Sequence, residues 1–201
     1  MKKLYAFILG ILLVPGVAKA ENPAIEFVHE TAEMVINDIL TADISREEKL
    51  ERFRAEFTKA LDLKTIGKFV LGVYWRKATA EEKNEFLKAF IDLTTKTWAD
   101  RFDMYHGQKI IFTGARNAEQ NQLYVDSTIQ NNPPVEVIWR LKQKDGHYHI
   151  IDIIIEGVSM AMSYRNEYSA FLQNHNGQVQ DLIKELKIKE EQFVWSAEKK
   201  Q

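Results

Sequence analysis

The spacing of apolar residues changes once along this chain, and that change limits the fold more than any other feature. Up to about residue 105 the apolar side chains recur every three or four positions, as in helices with one buried face; from Lys109 they alternate, as in half-buried strands. Segments near 109–117, 122–130, 135–144 and 147–157 read as strands, and Asn131-Asn132-Pro133-Pro134 breaks the run between the second and third. Asp145-Gly146 is a strong signal for a two-residue hairpin turn. A plain two-residue turn sets Leu141 opposite Ile150, Trp139 opposite Asp152 and Val137 opposite Ile154. It puts Val135, Val137, Trp139, Leu141, Tyr148, Ile150 and Ile154 on the face toward the helices.

The helical part carries its own start signals. Asn22-Pro23 supplies a cap and a proline at the first helical position. Ser45 with Glu48, and Thr79 with Glu82, have the spacing of capping boxes. Asp62 can cap a short third helix carrying Ile66, Phe69 and Val70 and ending near Gly72, and Gly107 is placed to stop the long helix that Thr79 opens. Two further helices are expected near 160–174 and 177–187, divided at Asn176-Gly177. Helices, an antiparallel meander of four strands, then helices describe a single α+β domain.

Composition excludes several classes of function. With 45% hydrophobic and 28% charged residues, the chain is neither disordered, collagen-like nor a multi-span membrane protein. It contains no cysteine, so disulfides, thiolate metal sites and thiol nucleophiles are excluded. A formal charge of −2 exerts no general pull on nucleic acid. Lys2 and Lys3, the apolar run Leu4 to Val14, and Ala18-Lys19-Ala20 form the pattern of a secretory signal peptide, with cleavage expected before Glu21 and a mature domain over 21–201. Cleavage removes Lys2, Lys3 and Lys19 and no acid, taking the charge from −2 to −5. Export without cysteine fits a bacterial periplasm.

Few residues offer chemistry. His147 and His149 share a strand face beside a turn, where solvated polar residues are expected, and no further His, Asp or Glu joins them at a metal-binding spacing. Asp152 falls on the apolar face in the simple register. There it is either a base with a raised pKa or, as favoured, a structural carboxylate satisfied by Trp139 Nε1–H or by an arginine such as Arg76 or Arg165. No nucleophile elbow and no Gly-rich phosphate loop appears. Phe69, Tyr74, Trp75, Phe86, Phe90, Trp98, Phe102, Tyr105 and Trp139 come from elements that surround one interior. They suit either a filled core or the wall of an apolar cavity, and periodicity does not separate the two.

Leu71-Gly72-Val73-Tyr74-Trp75-Arg76-Lys77-Ala78-Thr79 resembles the LGxYWRxAT segment of the MlaC family, also called the toluene-tolerance auxiliary family. Glu85-Phe86 and the helix after it continue the likeness. Arg101-Phe102-Asp103-Met104-Tyr105-His106-Gly107 resembles the family's RFxxYxG ending, and Asp152 to Ser159, with Tyr164-Arg165 behind it, resembles its DxxxEGVS segment. The resemblance covers essentially the whole chain after the signal peptide. It implies an NTF2-like helical layer on a curved sheet that encloses an apolar cavity. It also implies a monomeric periplasmic phospholipid carrier working between an outer-membrane lipoprotein complex and an inner-membrane ABC transporter, maintaining outer-membrane lipid asymmetry. Under this reading the protein has no catalytic residues, no metal, no cofactor other than its lipid cargo and no nucleic-acid partner. A small enzyme using Asp152 as base, or a periplasmic chaperone or adaptor, are the competing readings.

The physical logic of a carrier is simple. A two-chain lipid has roughly 30 CH₂ groups, each costing about 0.8 kcal/mol to expose to water, so its tails need an apolar sheath while its headgroup stays hydrated. The wall is expected on the third helix, the long helix and the inner sheet face: Phe69, Val70, Leu71, Tyr74, Phe86, Phe90, Trp98, Tyr105, Val125, Val137, Trp139, Ile150 and Ile154.

Overall fold

The structure, a computed structural model, describes residues 22–103 and 108–195. The proposed signal peptide, Tyr105 and the expected stop at Gly107 lie outside the described residues.

Each anticipated cap is made. The Asn22 side chain accepts from Ala24 N at 3.0 Å and opens α1 (Pro23–Glu33), whose coil then widens into a π-helical segment, Met34–Leu40. Ser45 Oγ accepts from Glu48 N at 3.1 Å to start α2 (Arg46–Ala60). The Asp62 carboxylate accepts from Thr65 N and Thr65 Oγ1 at the head of α3 (Leu63–Leu71). Thr79 and Glu82 close both bonds of the capping box: Glu82 N donates to Thr79 Oγ1 at 3.1 Å and Thr79 N to Glu82 Oε2 at 2.8 Å. They open α5 (Ala80–Asp103), which follows the one-turn α4 (Val73–Lys77). The last helices are α6 (Met160–Asn174) and α7 (Val179–Glu191).

The sheet is an antiparallel meander of five strands rather than four: β1 (Ile110–Ala118), β2 (Gln122–Ile129), β3 (Val135–Lys144), β4 (His147–Ile155) and the two-residue β5 (Val158–Ser159). The extra strand arises because Glu156-Gly157 forms a second tight turn, with φ of 48° and 76°, as Asp145-Gly146 does with 51° and 81°.

The expected β3–β4 register holds only next to the turn. Leu141 faces Ile150, but the ladder then slips, so that Arg140 faces Asp152, Trp139 faces Ile153 and Val137 faces Ile155. Ile151 is the extra residue of a β-bulge. Downstream of it every side chain changes face: Ile153 joins Trp139 on the helix side, while Ile154 pairs with Ile138 on the other. Beside the bulge, Leu61 makes an isolated parallel bridge to Ile150, with Asp62 N donating to Ile150 O at 3.0 Å. That link covers part of the β4 edge that the short β5 leaves unpaired.

Helices α1, α2, α3 and α6 pack on the sheet; α5 packs on α2 and α3, and α7 on α5 and α6. The approach of α3 to α5 is close enough that a Cβ at Gly67 would stand 2.5 Å from Leu87 Cδ2, so a larger residue there displaces the Leu87 side chain. Trp195 packs back on the core, with the Arg46 guanidinium over its ring.

Candidate ligand cavity

Between the helical layer and the sheet two apolar spaces adjoin. The larger, about 510 Å³, lies among Ala32, Val35 and Ile36 of the first helix, Phe53, Phe57 and Ala60 of α2, and Ile110, Trp139 and Ile150 of the sheet. The second, about 350 Å³, lies among Leu63 and Ile66 of α3, Phe90, Thr94 and Trp98 of α5, and Met160 and Tyr164 of α6. Phe57, Leu61 and Ile153 line both. The larger space also shares Ala32, Ile36 and Ile110 with a more polar vestibule of about 590 Å³, where His29, Glu33, Asn37 and Lys109 gather. Apolar space thus leads outward to a rim bearing one cation, one carboxylate and an amide, and His29 Nε2 lies 3.5 Å from Glu33 Oε1.

Sequence and structure explain how the walls hold their shape. The Trp139 Nε1–H would be unsatisfied in an apolar wall. It donates to Ser127 Oγ at 2.9 Å, and Ser127 donates to Val137 O at 2.9 Å, so the ring stands in the interior with its polar atom matched. Phe90 stands edge-on to Tyr164 at 5.7 Å and to Tyr168 at 6.3 Å, and stacks with Phe86 at 5.8 Å. Burial raises the pKa of both tyrosines; at Tyr164 the nearby Arg101 and a hydrogen bond with Trp98 act in the opposite sense without cancelling it. Both phenols therefore stay protonated and neutral at any ordinary pH.

Asp152 is buried at 5% exposure beside the second space. Its partners are not Trp139, Arg76 or Arg165. Oδ1 accepts from Ala161 N at 2.9 Å, and Oδ2 accepts from Ser159 Oγ, which itself caps α6 by accepting from Met162 N at 3.1 Å. The bulge is the reason: it takes Asp152 out of register with Trp139 and leaves it at the N-terminus of α6, where backbone N–H groups and the helix dipole favour a carboxylate. Both oxygens are engaged in joining β4 to α6.

The thirteen residues expected on the wall separate into groups. Phe90, Trp98, Trp139 and Ile150 line the two spaces. Val70, Leu71, Phe86, Val125 and Val137 are buried in the continuous core around them. Ile154 is on the opposite sheet face, Phe69 is exposed on the outside of α3, Tyr74 on α4 is half-buried against the core but lines neither space, and Tyr105 is outside the described residues. Pattern reading missed the contribution of α1 and α2. Phe53, Phe57 and Leu61 recur at helical spacing and were legible as a buried face, but nothing in that spacing separates a wall from a core. Among the described residues no group of three or more His, Cys, Asp or Glu converges as metal ligands, and no helix is long and apolar enough to cross a membrane.

With this geometry in view, the similarities to known proteins are informative. Residues 28–188 match the model of the family described as MlaC protein. The intermembrane phospholipid transport system binding protein MlaC of Haemophilus influenzae is 26% identical over 168 residues, which span 78% of each chain. A phospholipid-binding protein of Ralstonia solanacearum, solved in complex with a phospholipid, superposes with a TM-score of 0.74 at 22% identity, over 84% of this chain and 97% of that one.

Proposed function

The chain belongs to the MlaC family, and from that premise we propose that it is a periplasmic phospholipid carrier. Residues 1–20 direct export and are removed, and residues 21–201 form the lipid-binding domain. The protein takes lipid between an outer-membrane lipoprotein complex and an inner-membrane ABC transporter, and so maintains outer-membrane lipid asymmetry. It acts as a monomer, without catalysis, and phospholipid is its cargo rather than a cofactor.

One observation carries this reading: two apolar spaces that share Phe57, Leu61 and Ile153 in their walls, the larger of which shares Ala32, Ile36 and Ile110 with a polar vestibule. Acyl chains require the first and a hydrated phosphate headgroup the second. The relatives support it, one by its name and the other by the phospholipid in its structure.

The test is native mass spectrometry of protein purified from the periplasm. The expected result is a chain beginning at Glu21 and carrying phospholipid. A chain that retains Met1 in the membrane fraction removes the export reading, and a cleaved chain with no lipid removes the carrier reading.

A further inference from the structure

The LGVYWRK stretch, the first segment that resembles the family, does not face the cavity. Leu71 is anchored in the core at 1% exposure, and then Gly72, at φ 59° and ψ −127°, reverses the chain between α3 and α4. Phe69 and Val73 are left 37% and 52% exposed on either side of the reversal. A Cβ at position 72 would stand 3.3 Å from Arg165 Nη2. Arg165 comes across from α6, lays its guanidinium over the Phe69 ring at 4.7 Å and donates through Nη1 to Phe69 O at 2.9 Å. The result is a groove of about 770 Å³ walled by Lys68, Phe69, Val73, Trp75, Arg76 and Arg165.

Its charge is one-sided. Three cations line it and no carboxylate does. Several cations elsewhere meet a carboxylate: Arg54 and Lys88 meet Asp92, Arg116 meets Asp126, Lys187 meets Glu85 and Lys189 meets Glu167. Among the described residues none of Lys68, Arg76 and Arg165 has a carboxylate partner. In a chain whose acids outnumber its bases by 29 to 27, this is a local basic site against the overall charge. It shares no lining residue with the interior spaces. Helix α3 stands between them, with Leu63 and Ile66 on the cavity side and Thr65 and Phe69 on the groove side.

We propose that this groove docks an acidic segment of a partner protein. One apolar side chain of that segment seats on Phe69 and Val73, and flanking carboxylates meet Lys68, Arg76 and the free edge of Arg165. Charge decides between a protein segment and an anionic bilayer: acids outnumber bases 29 to 27 over the chain, so an extended anionic surface meets net repulsion, whereas a short acidic segment meets only the cations at this site. Desolvated apolar contact with surrounding cations is the arrangement that gives a docked chain both affinity and register.

The proposal is independent of what the interior holds. A photo-crosslinking amino acid at Val73, in the full chain produced in cells, should give one predominant protein adduct whose crosslinked peptide carries excess Asp and Glu. The pair Lys68→Glu with Arg76→Glu should reduce that adduct about tenfold or more, with Lys68→Gln and Arg76→Gln intermediate, while circular dichroism and co-purified lipid stay unchanged. Crosslinking to phospholipid instead, a yield indifferent to both pairs of substitutions, or no adduct would each overturn it. Lipid content is read on the same samples, so failure of docking and failure of the carrier reading are separable.

Discussion

The two sides of the helical layer obey the same apolar spacing and end differently. Where α7 meets α5 and α6, the side chains fill the space between them: Leu182, Ile183 and Leu186 are each at most 1% exposed, and Lys187–Glu85 and Lys96–Glu190 join the helices at their margins. Where α1 and α2 meet the sheet, equally apolar residues face one another across space that no side chain of this protein occupies. Protein interiors are normally close-packed, and lining atoms without neighbours forfeit dispersion energy. The tight side carries the stability of the fold, and the loose side is where a guest contributes what the chain leaves out.

One residue type on both sides gives the sharpest contrast. Ile183→Ala should cost about 3–4 kcal/mol, within the usual range for emptying a filled site. Ile153→Ala, at the wall common to both spaces, should cost about half as much in lipid-free protein, because part of its surroundings is already vacant. Urea unfolding of the two variants measures this, and equal costs would erase the distinction.

Lipid should act on one side only. A ligand confined to the folded state adds about 2.7 kcal/mol at a hundredfold excess over Kd, or about 5–10 °C in Tm for a domain of this size. Hydrogen exchange should slow in α1, α2, β4 and the part of α5 around Phe90 to Trp98, and hardly change in α7. Uniform slowing would mean that the whole domain tightens together.

The corner between α2 and the sheet depends on Asp62. Burial acts to raise its pKa, but the hydrogen bonds from Thr65 and the proximity of Lys144 and His149 outweigh it, and the net shift is downward from 3.8. A carboxylate with a lowered folded-state pKa contributes stability above its unfolded value and loses it as the pH falls through the folded one. Asp62→Ala should therefore cost about 1 kcal/mol near neutrality, as for other N-caps, and the gap from the parent should narrow below about pH 4. A gap constant from pH 7 to pH 3 would show that charge has no part in the cap.

The smallest effect belongs to the tight side. Thr95 on α5 is fully buried and its hydroxyl has no hydrogen-bond partner among the described residues. Thr95→Val keeps the shape and removes the unmatched group, so it should stabilise by up to about 1 kcal/mol; a loss in thermal melting would point to a hydrogen bond formed in solution.

What the sequence revealed about this molecule was local. Caps at Asn22, Ser45, Asp62 and Thr79 and the turn at Asp145-Gly146 were legible because each is decided within four residues. The bulge at Ile151 was not, since it arises where the Ile150 carbonyl meets an amide 88 positions earlier in the chain, at Asp62, and where Asp152 meets the start of α6. Glu156-Gly157 turns as Asp145-Gly146 does, but glutamate is not a usual first residue of such a turn and only two strand residues follow it, so it gave no hairpin signal. Phe69 was read with Ile66 and Val70 on the apolar face of α3, but the buried stripe of that helix runs through Leu63, Ile66, Gly67, Val70 and Leu71 and leaves Phe69 outside. The walls from α1 and α2 were hidden for a different reason: an apolar stripe has the same spacing whether or not anything fills the space in front of it.

The bridge at Leu61 has a mechanical corollary. Among the described residues, the backbone hydrogen bond from Asp62 N to Ile150 O is the one that ties helices α1 to α5 to the sheet; every other attachment runs through side chains. A single such bond contributes only about 1 kcal/mol net. Drawing α2 away from the strands therefore unzips no ladder. It exposes apolar side chains to water, and a greasy guest covers those same side chains as it enters. On the carrier reading, the clearance between the layers is then limited little by the chain's own hydrogen bonding, and one scaffold would accommodate tails of different length without rebuilding its backbone.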